Sequence, residues 1–164
     1  MISRSGSLTL EKLILMRYPL KNWKNIKRGS KFSEKTFYSP HHLGTDYLVP
    51  EGTPVYAPHN CEIVKAGVFP EGGKTVHASF AARGYGRVVM RFMHLSKYAA
   101  KGKYKKGAII GYTGNTGKLT EGPHLHLDIS REKVEIKNFS NFLDPEKFFG
   151  SNSGGGKKII NSYI

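Results

Sequence analysis

The chain has 164 residues, enough for one domain to bury a core without covalent staples, and its single cysteine, Cys61, excludes an intrachain disulfide. A formal net charge of +14 favours anionic partners such as nucleic acid, a membrane surface or an acidic wall polymer, and carries no information on fold. No RNP-type, helix-turn-helix or Cys/His finger pattern accompanies the lysines, which makes nucleic acid the weakest of these partners.

Nineteen glycines and eight prolines punctuate short apolar segments, and the helical i, i+3, i+4 pattern is confined to the N-terminus, so a mainly β domain is expected. Leu8 to Met16 reads as a short amphipathic helix. Glu11 and Lys12 interrupt it, no small-residue cleavage site follows, and it is too short to span a bilayer, so neither a secretion signal nor a membrane span is expected. From Tyr18 to Lys35 the chain runs through Trp23 and a basic cluster of Lys21, Lys24, Lys27, Arg28, Lys31 and Lys35. A solvated extension is the default reading of such a run, and its interleaved aromatics are suited to an anionic polymer.

The character changes at Phe37. His42 and Asp46, four apart and followed by the turn Pro50-Glu51-Gly52-Thr53-Pro54, put an imidazole and a carboxylate on one side of an extended backbone. Its neighbour His41 faces the opposite way. Strands are expected at Val55–Ala57, Glu62–Val68, Thr75–Phe80, Arg87–Met93 and Ala108–Tyr112, with Lys101–Lys106 as a basic loop. Cys61 opens the second of these strands as a buried, inert thiol, and His94 stands at the end of the fourth. His59 and His77 belong to no motif and read as structural or exposed.

The loop Thr113-Gly114-Asn115-Thr116-Gly117 leads to Gly122-Pro123-His124-Leu125-His126-Leu127-Asp128-Ile129, an apolar strand in which His124 and His126 project from the same face. Two imidazoles sharing one space make a metal or catalytic site a candidate, although an isolated His-x-His more often lies in an ordinary half-buried strand. Asp128 lies on the same face, within reach of a hydrogen bond to His126. Asp144-Pro145 reads as a capped turn or helix start. Beyond Phe149 the composition is that of a flexible linker. The expected organisation is a basic extension over 1–36, the domain carrying the chemistry over 37–150 and a Gly/Ser/Lys-rich tail over 151–164.

Taken together, His42-Leu43-Gly44-Thr45-Asp46, Gly52-Thr53-Pro54-Val55-Tyr56-Ala57, Phe92-Met93-His94-Leu95-Ser96, Gly114-Asn115-Thr116-Gly117 and Gly122-Pro123-His124-Leu125-His126 resemble, in order and approximate spacing, the lysostaphin/LytM-type zinc metallopeptidases that cut peptidoglycan cross-bridges. The resemblance covers roughly residues 38 to 148. It implies a small antiparallel β-sheet domain with a substrate groove, one zinc ion held by His42, Asp46 and His126, and His94 and His124 as the catalytic histidines. The family commonly carries Tyr at the place of Phe92 and Phe-Glu at Leu127-Asp128, and the segment Glu71–Gly86 is longer than its usual hairpin.

Three protein ligands leave a fourth zinc position open, as catalytic sites do. No glutamate base is suggested by the motif, so one of His94 and His124 takes the proton of water while the other steadies the oxyanion. The implied partners are a peptidoglycan stem or cross-bridge, cut at a Gly-Gly or a D-Ala-diaminopimelate bond, and an anionic wall polymer met by the basic surface. A basic protein without a leader fits a phage-type lysin, made in the cytoplasm and acting on the wall after release or carried in a particle. The alternatives are a non-enzymatic module that uses the same groove to bind wall polymer or a partner, and, less favoured, a basic nucleic-acid binder.

Overall fold

The computed structural model describes residues 16–82, 84–132 and 138–149. The helix expected over Leu8–Met16, except for its last residue, and the tail over 151–164 lie outside them. Among the described residues the fold is antiparallel β. One sheet has the order β1 (Gly44–Tyr47), β9 (Leu125–Arg131), β5 (Gly86–Leu95), β4 (Gly73–Ala82), β3 (Cys61–Phe69) and β7 (Gly102–Tyr104), and β10 (Phe142–Leu143) pairs the far end of β9. A three-stranded sheet joins β2 (Pro54–Tyr56), β8 (Ile109–Tyr112) and β6 (Lys97–Tyr98).

Alternation along the central strands divides the large sheet into two chemically different faces. Leu125, Leu127 and Ile129 of β9, Val88, Met90 and Phe92 of β5, and Val76, Ala78 and Phe80 of β4 fill the core. The intervening residues, His126 and Asp128 on β9, Arg91 and Met93 on β5 and His77 on β4, form the opposite face. The register aligns Gly44, Asp128, Arg91 and His77 in one row across β1, β9, β5 and β4, and Asp46 directly opposite His126.

Two expectations are corrected. The loop at Lys101–Lys106 contains a strand, β7, which pairs with Cys61–Ile63. Lys101, Lys103 and Lys105 point to solvent while Gly102 and Tyr104 are half-buried, so a period of two lies beneath the charge run. The basic segment before residue 37 is not solvated throughout. Met16, Leu20 and Trp23 belong to the main core, and the Trp23 ring lies 4.2 Å from that of Tyr47 and 5.0 Å from that of Phe149. Arg28 lies over the rings of Trp23 and Tyr47 and bonds Glu146 at 2.9 Å, so this cation seals an aromatic cluster. The apolar area of these side chains outweighs the wish of the neighbouring lysines for water, because the two groups alternate: Lys21, Lys24 and Lys27 remain exposed.

Cys61 and Asp144 stand as expected. Cys61 is buried, and burial pushes its thiol up to about 11. Asp144 accepts from the Glu146 amide and Pro145 takes the first position of a 3-10 turn, Pro145–Lys147.

Candidate metal and catalytic centre

Three polypeptide segments bring the motif residues together. β1 carries Asp46, and the turn before it carries His42, whose amide and carbonyl bond Glu34 and Ser33. The start of β9 carries His124 and His126, and the end of β5 carries His94. Gly44, between His42 and Asp46, is required by close approach: a Cβ there would meet the Leu127 carbonyl oxygen at 2.1 Å and Asp128 Cβ at 2.8 Å. β1 therefore lies tightly against β9, and Asp46 Oδ1 falls 2.8 Å from His126 Nδ1, 3.4 Å from His42 Nε2 and 3.6 Å from His124 Nε2.

His94 reaches the site by a different route. Strict alternation would put it with Phe92 on the core face, but its φ of 62° is left-handed and turns the ring to the other side. There its centroid is 4.7 Å from that of His124 and 6.1 Å from that of His126.

Each imidazole is held from behind. His94 Nδ1 donates to the Thr116 carbonyl at 2.8 Å, His124 Nδ1 to the Gly122 carbonyl at 2.8 Å and His42 Nδ1 to the Lys31 carbonyl at 3.2 Å. A carbonyl only accepts, so in all three rings Nδ1 carries a hydrogen, and in the neutral ring the lone pair is on Nε2. His126 is reversed: Nε2 faces Asp128 Oδ2 at 3.0 Å and Nδ1 faces the site. The Gly114 and Gly117 positions let the loop carrying Thr116 lie against the backbone of residues 94–96 and 71–73, where a Cβ would come within 2.5 Å.

The electrostatics follow from burial and these partners. Burial opposes ionisation of Asp46, yet the hydrogen bonds and charges of His126 and His42 outweigh it and hold the carboxyl below its ordinary range. Burial likewise opposes charge on His126, and the Asp128 and Asp46 carboxylates overcome it and raise the imidazole. Burial dominates at His94 and lowers it to about 4, so its ring is neutral at physiological pH. One carboxylate and the near-side nitrogens of His42 and His126 lie within 4.8 Å of one another. Such a cluster of donor atoms can hold a cation: the 3.4 Å between His42 Nε2 and Asp46 Oδ1 is near the roughly 3.3 Å expected between ligands on tetrahedral zinc, while His126 Nδ1, 2.8 Å from Asp46 Oδ1, is at hydrogen-bond distance.

His42, Asp46, His94, His124 and His126 thus share one site. His41 points away and stacks on Phe139 at 4.8 Å, His59 stands apart, and His77 lies farther along the same sheet face, beside Phe69. Sequence reading did not single out Arg91, whose Nε and Nη2 bond Asp128 Oδ1 and Oδ2 at 2.7 and 2.5 Å. The available signal was an arginine inside the apolar run Val88–Met93.

The Peptidase family M23 model matches residues 40–138. Lysostaphin of Staphylococcus simulans is 40% identical over 120 residues, covering 71% of this chain and 22% of that protein. Peptidoglycan DD-endopeptidase ShyA of Vibrio cholerae is 40% identical over 91 residues, covering 54% of this chain and 20% of that protein. The chain thus spans about a fifth of the length of these two relatives. Among solved structures, the catalytic domain of the antimicrobial peptidase lysostaphin aligns with a TM-score of 0.69 and 29% identity over 82% of this chain and 100% of that one. A zinc containing peptidase from Vibrio cholerae aligns with a TM-score of 0.58 and 28% identity, over 70% of this chain and 36% of that one.

Proposed function

Because the chain belongs to Peptidase family M23, we propose that it is a zinc-dependent endopeptidase that hydrolyses peptide cross-links in bacterial peptidoglycan. The observation that carries this reading is the convergence of three nitrogen and oxygen donors on one point, with two further imidazoles beside it that are tied elsewhere and keep their Nε2 lone pairs. His42 Nε2, Asp46 and His126 Nδ1 would hold the zinc. Bound there, zinc supplies Lewis acidity for the scissile carbonyl and makes a water acidic enough to ionise near neutral pH.

The remaining chemistry belongs to His94 and His124. Nδ1–H of each is fixed by a carbonyl, so Nε2 is the atom that accepts the proton of the attacking water and passes it to the leaving amine. Burial keeps His94 in the neutral form that accepts. The other ring can steady the developing oxyanion only when its Nε2 carries a proton taken from solvent. A backbone strained at His94 and closed by Thr116 prevents the ring from turning its lone pair away.

The finer reading is that of a lysin, acting on the wall after release from the cell that makes it or carried in a phage-type particle. Its support is the surplus charge of +14, which suits a protein that meets an anionic polymer. The test uses purified protein on purified peptidoglycans of known cross-link, either glycine-bridged or directly linked, with released fragments identified by mass spectrometry. New amino termini in one wall type, abolished by chelator and restored by zinc, are expected. Binding without any cleaved fragment from either wall would replace the peptidase with a non-enzymatic wall-binding module.

A further inference from the structure

The hydrogen-bond partners of His126 differ from those of the other imidazoles in the site. Both of its ring nitrogens face carboxylates: Nδ1 is 2.8 Å from Asp46 and Nε2 is 3.0 Å from Asp128. Chemistry alone does not choose which nitrogen keeps a hydrogen, and the metal reading requires the lone pair at Nδ1. The two carboxylates are differently placed. Asp46 is partly exposed and lies among the ligands, whereas Asp128 is fully buried and gripped by both arms of the Arg91 guanidinium.

We infer that Arg91 and Asp128 form a positioning pair that fixes the hydrogen of His126 on Nε2 and so presents Nδ1 to the metal. Arg91 donates from Nε to Oδ1 and from Nη2 to Oδ2, which leaves Asp128 no freedom to rotate, and its second acceptor site on Oδ2 is directed at His126. The strand register makes the pair possible, since Arg91 and Asp128 are direct partners across β5 and β9. Arg91 is itself braced by the Phe142 ring, 5.4 Å from its guanidinium carbon. Opposite Asp128 on β1 stands Gly44, where any side chain would meet Asp128 Cβ at 2.8 Å and displace it. An outer partner of this kind orients a ligand imidazole without touching the metal or the substrate.

The inference rests on the zinc reading of the site, and the experiment separates the two. Zinc affinity of the full chain is measured by competition with a chromophoric chelator for the parent, Asp128→Asn and Arg91→Lys. The imidazole nitrogens of His126 are followed in the zinc-loaded protein by long-range ¹H–¹⁵N NMR, and thermal melts report folding. In the parent, Nε2 should carry the hydrogen and Nδ1 the metal. Asp128→Asn, which can present only one acceptor to two donor groups, should weaken zinc binding 10- to 100-fold, and Arg91→Lys by a smaller factor, with the His126 Nε2–H resonance shifted in both. A merely structural pair would lower the melting temperature and leave the affinity and the His126 resonances of the folded fraction unchanged, which would overturn the inference. Metal on Nε2 of His126 in the parent would also overturn it, whether or not either variant folds. A parent that takes up no zinc would overturn the site reading and this one with it.

Discussion

His94 sits at a φ of 62°, a backbone conformation costing a non-glycine residue on the order of 1–3 kcal/mol unless its surroundings impose it. They do: its amide donates to the Gly72 carbonyl at 2.7 Å, and its Nδ1 donates to Thr116. Asparagine tolerates the left-handed region better than alanine, so His94→Asn isolates the ring from the backbone. This variant should retain zinc and lose turnover by about a hundredfold or more, the scale for losing one acid–base or oxyanion group. Steady-state kinetics on a cross-link peptide check it, and near-parental turnover would remove His94 from the mechanism.

The same variant has a pH signature. Burial lowers both His94 and His77 from the ordinary 6.5 to about 4, so in that window the unfolded chain binds protons that the folded chain refuses. Stability therefore rises with pH from 4 to 6.5 and is lost on acidification through the same range. His94→Asn should make the fall in melting temperature between pH 6.5 and 4 shallower, leaving the part due to His77. An unchanged slope would show that His94 is protonated in the folded protein.

At the scale of elements, the site depends on how closely β1 approaches β9. Gly44→Ala would drive a methyl group into the Leu127 carbonyl, and the overpacking should cost about 1–3 kcal/mol in urea unfolding while loosening Asp46, two residues along, from the other donors. Zinc affinity should drop with it; full stability and full zinc retention together would mean that the strands do not meet as described. Much of this level was legible beforehand. Alternation in Leu125–Ile129 puts His126 and Asp128 on one face, and the spacing of His42 and Asp46 keeps them on one side.

Other features were hidden for physical reasons. The same alternation misplaces His94, because only a left-handed residue redirects its ring, and single-residue φ leaves no trace in a side-chain pattern. β7 was hidden by lysines that occupy only the outward positions of an edge strand, where charge also discourages further strand pairing. Arg91 drew no reading of its own, because its partner Asp128 lies on another strand.

For the molecule as a whole, the basic surface meets the site at Lys31, whose carbonyl holds His42, but shares no side chain with it. Lys21, Lys24, Lys27, Lys31 and Lys35, with Lys97, Lys101, Lys103, Lys105 and Lys106, are exposed and contribute no side chain to the donor cluster. Exposed charges act over about a Debye length, roughly 10 Å at 0.1 M salt, so added salt should weaken binding to whole walls far more than turnover of a small neutral peptide. Replacing several of these lysines by glutamine should reproduce that loss at low ionic strength in a wall-sedimentation assay. Equal salt sensitivity for both substrates would reduce the charge to a solubility feature. Trp23 and its neighbours anchor part of this surface to the core, which holds the lysines of that segment in fixed positions on the fold.

We assign the metal to His42, Asp46 and His126 and not to His94 and His124. Zinc content per protein after gel filtration, measured for the parent and for the five single alanine variants, tests it most directly. One zinc is expected in the parent and in His94→Ala and His124→Ala, with sharply reduced zinc in His42→Ala, Asp46→Ala and His126→Ala. Stoichiometric zinc retained by all three ligand variants would contradict the account.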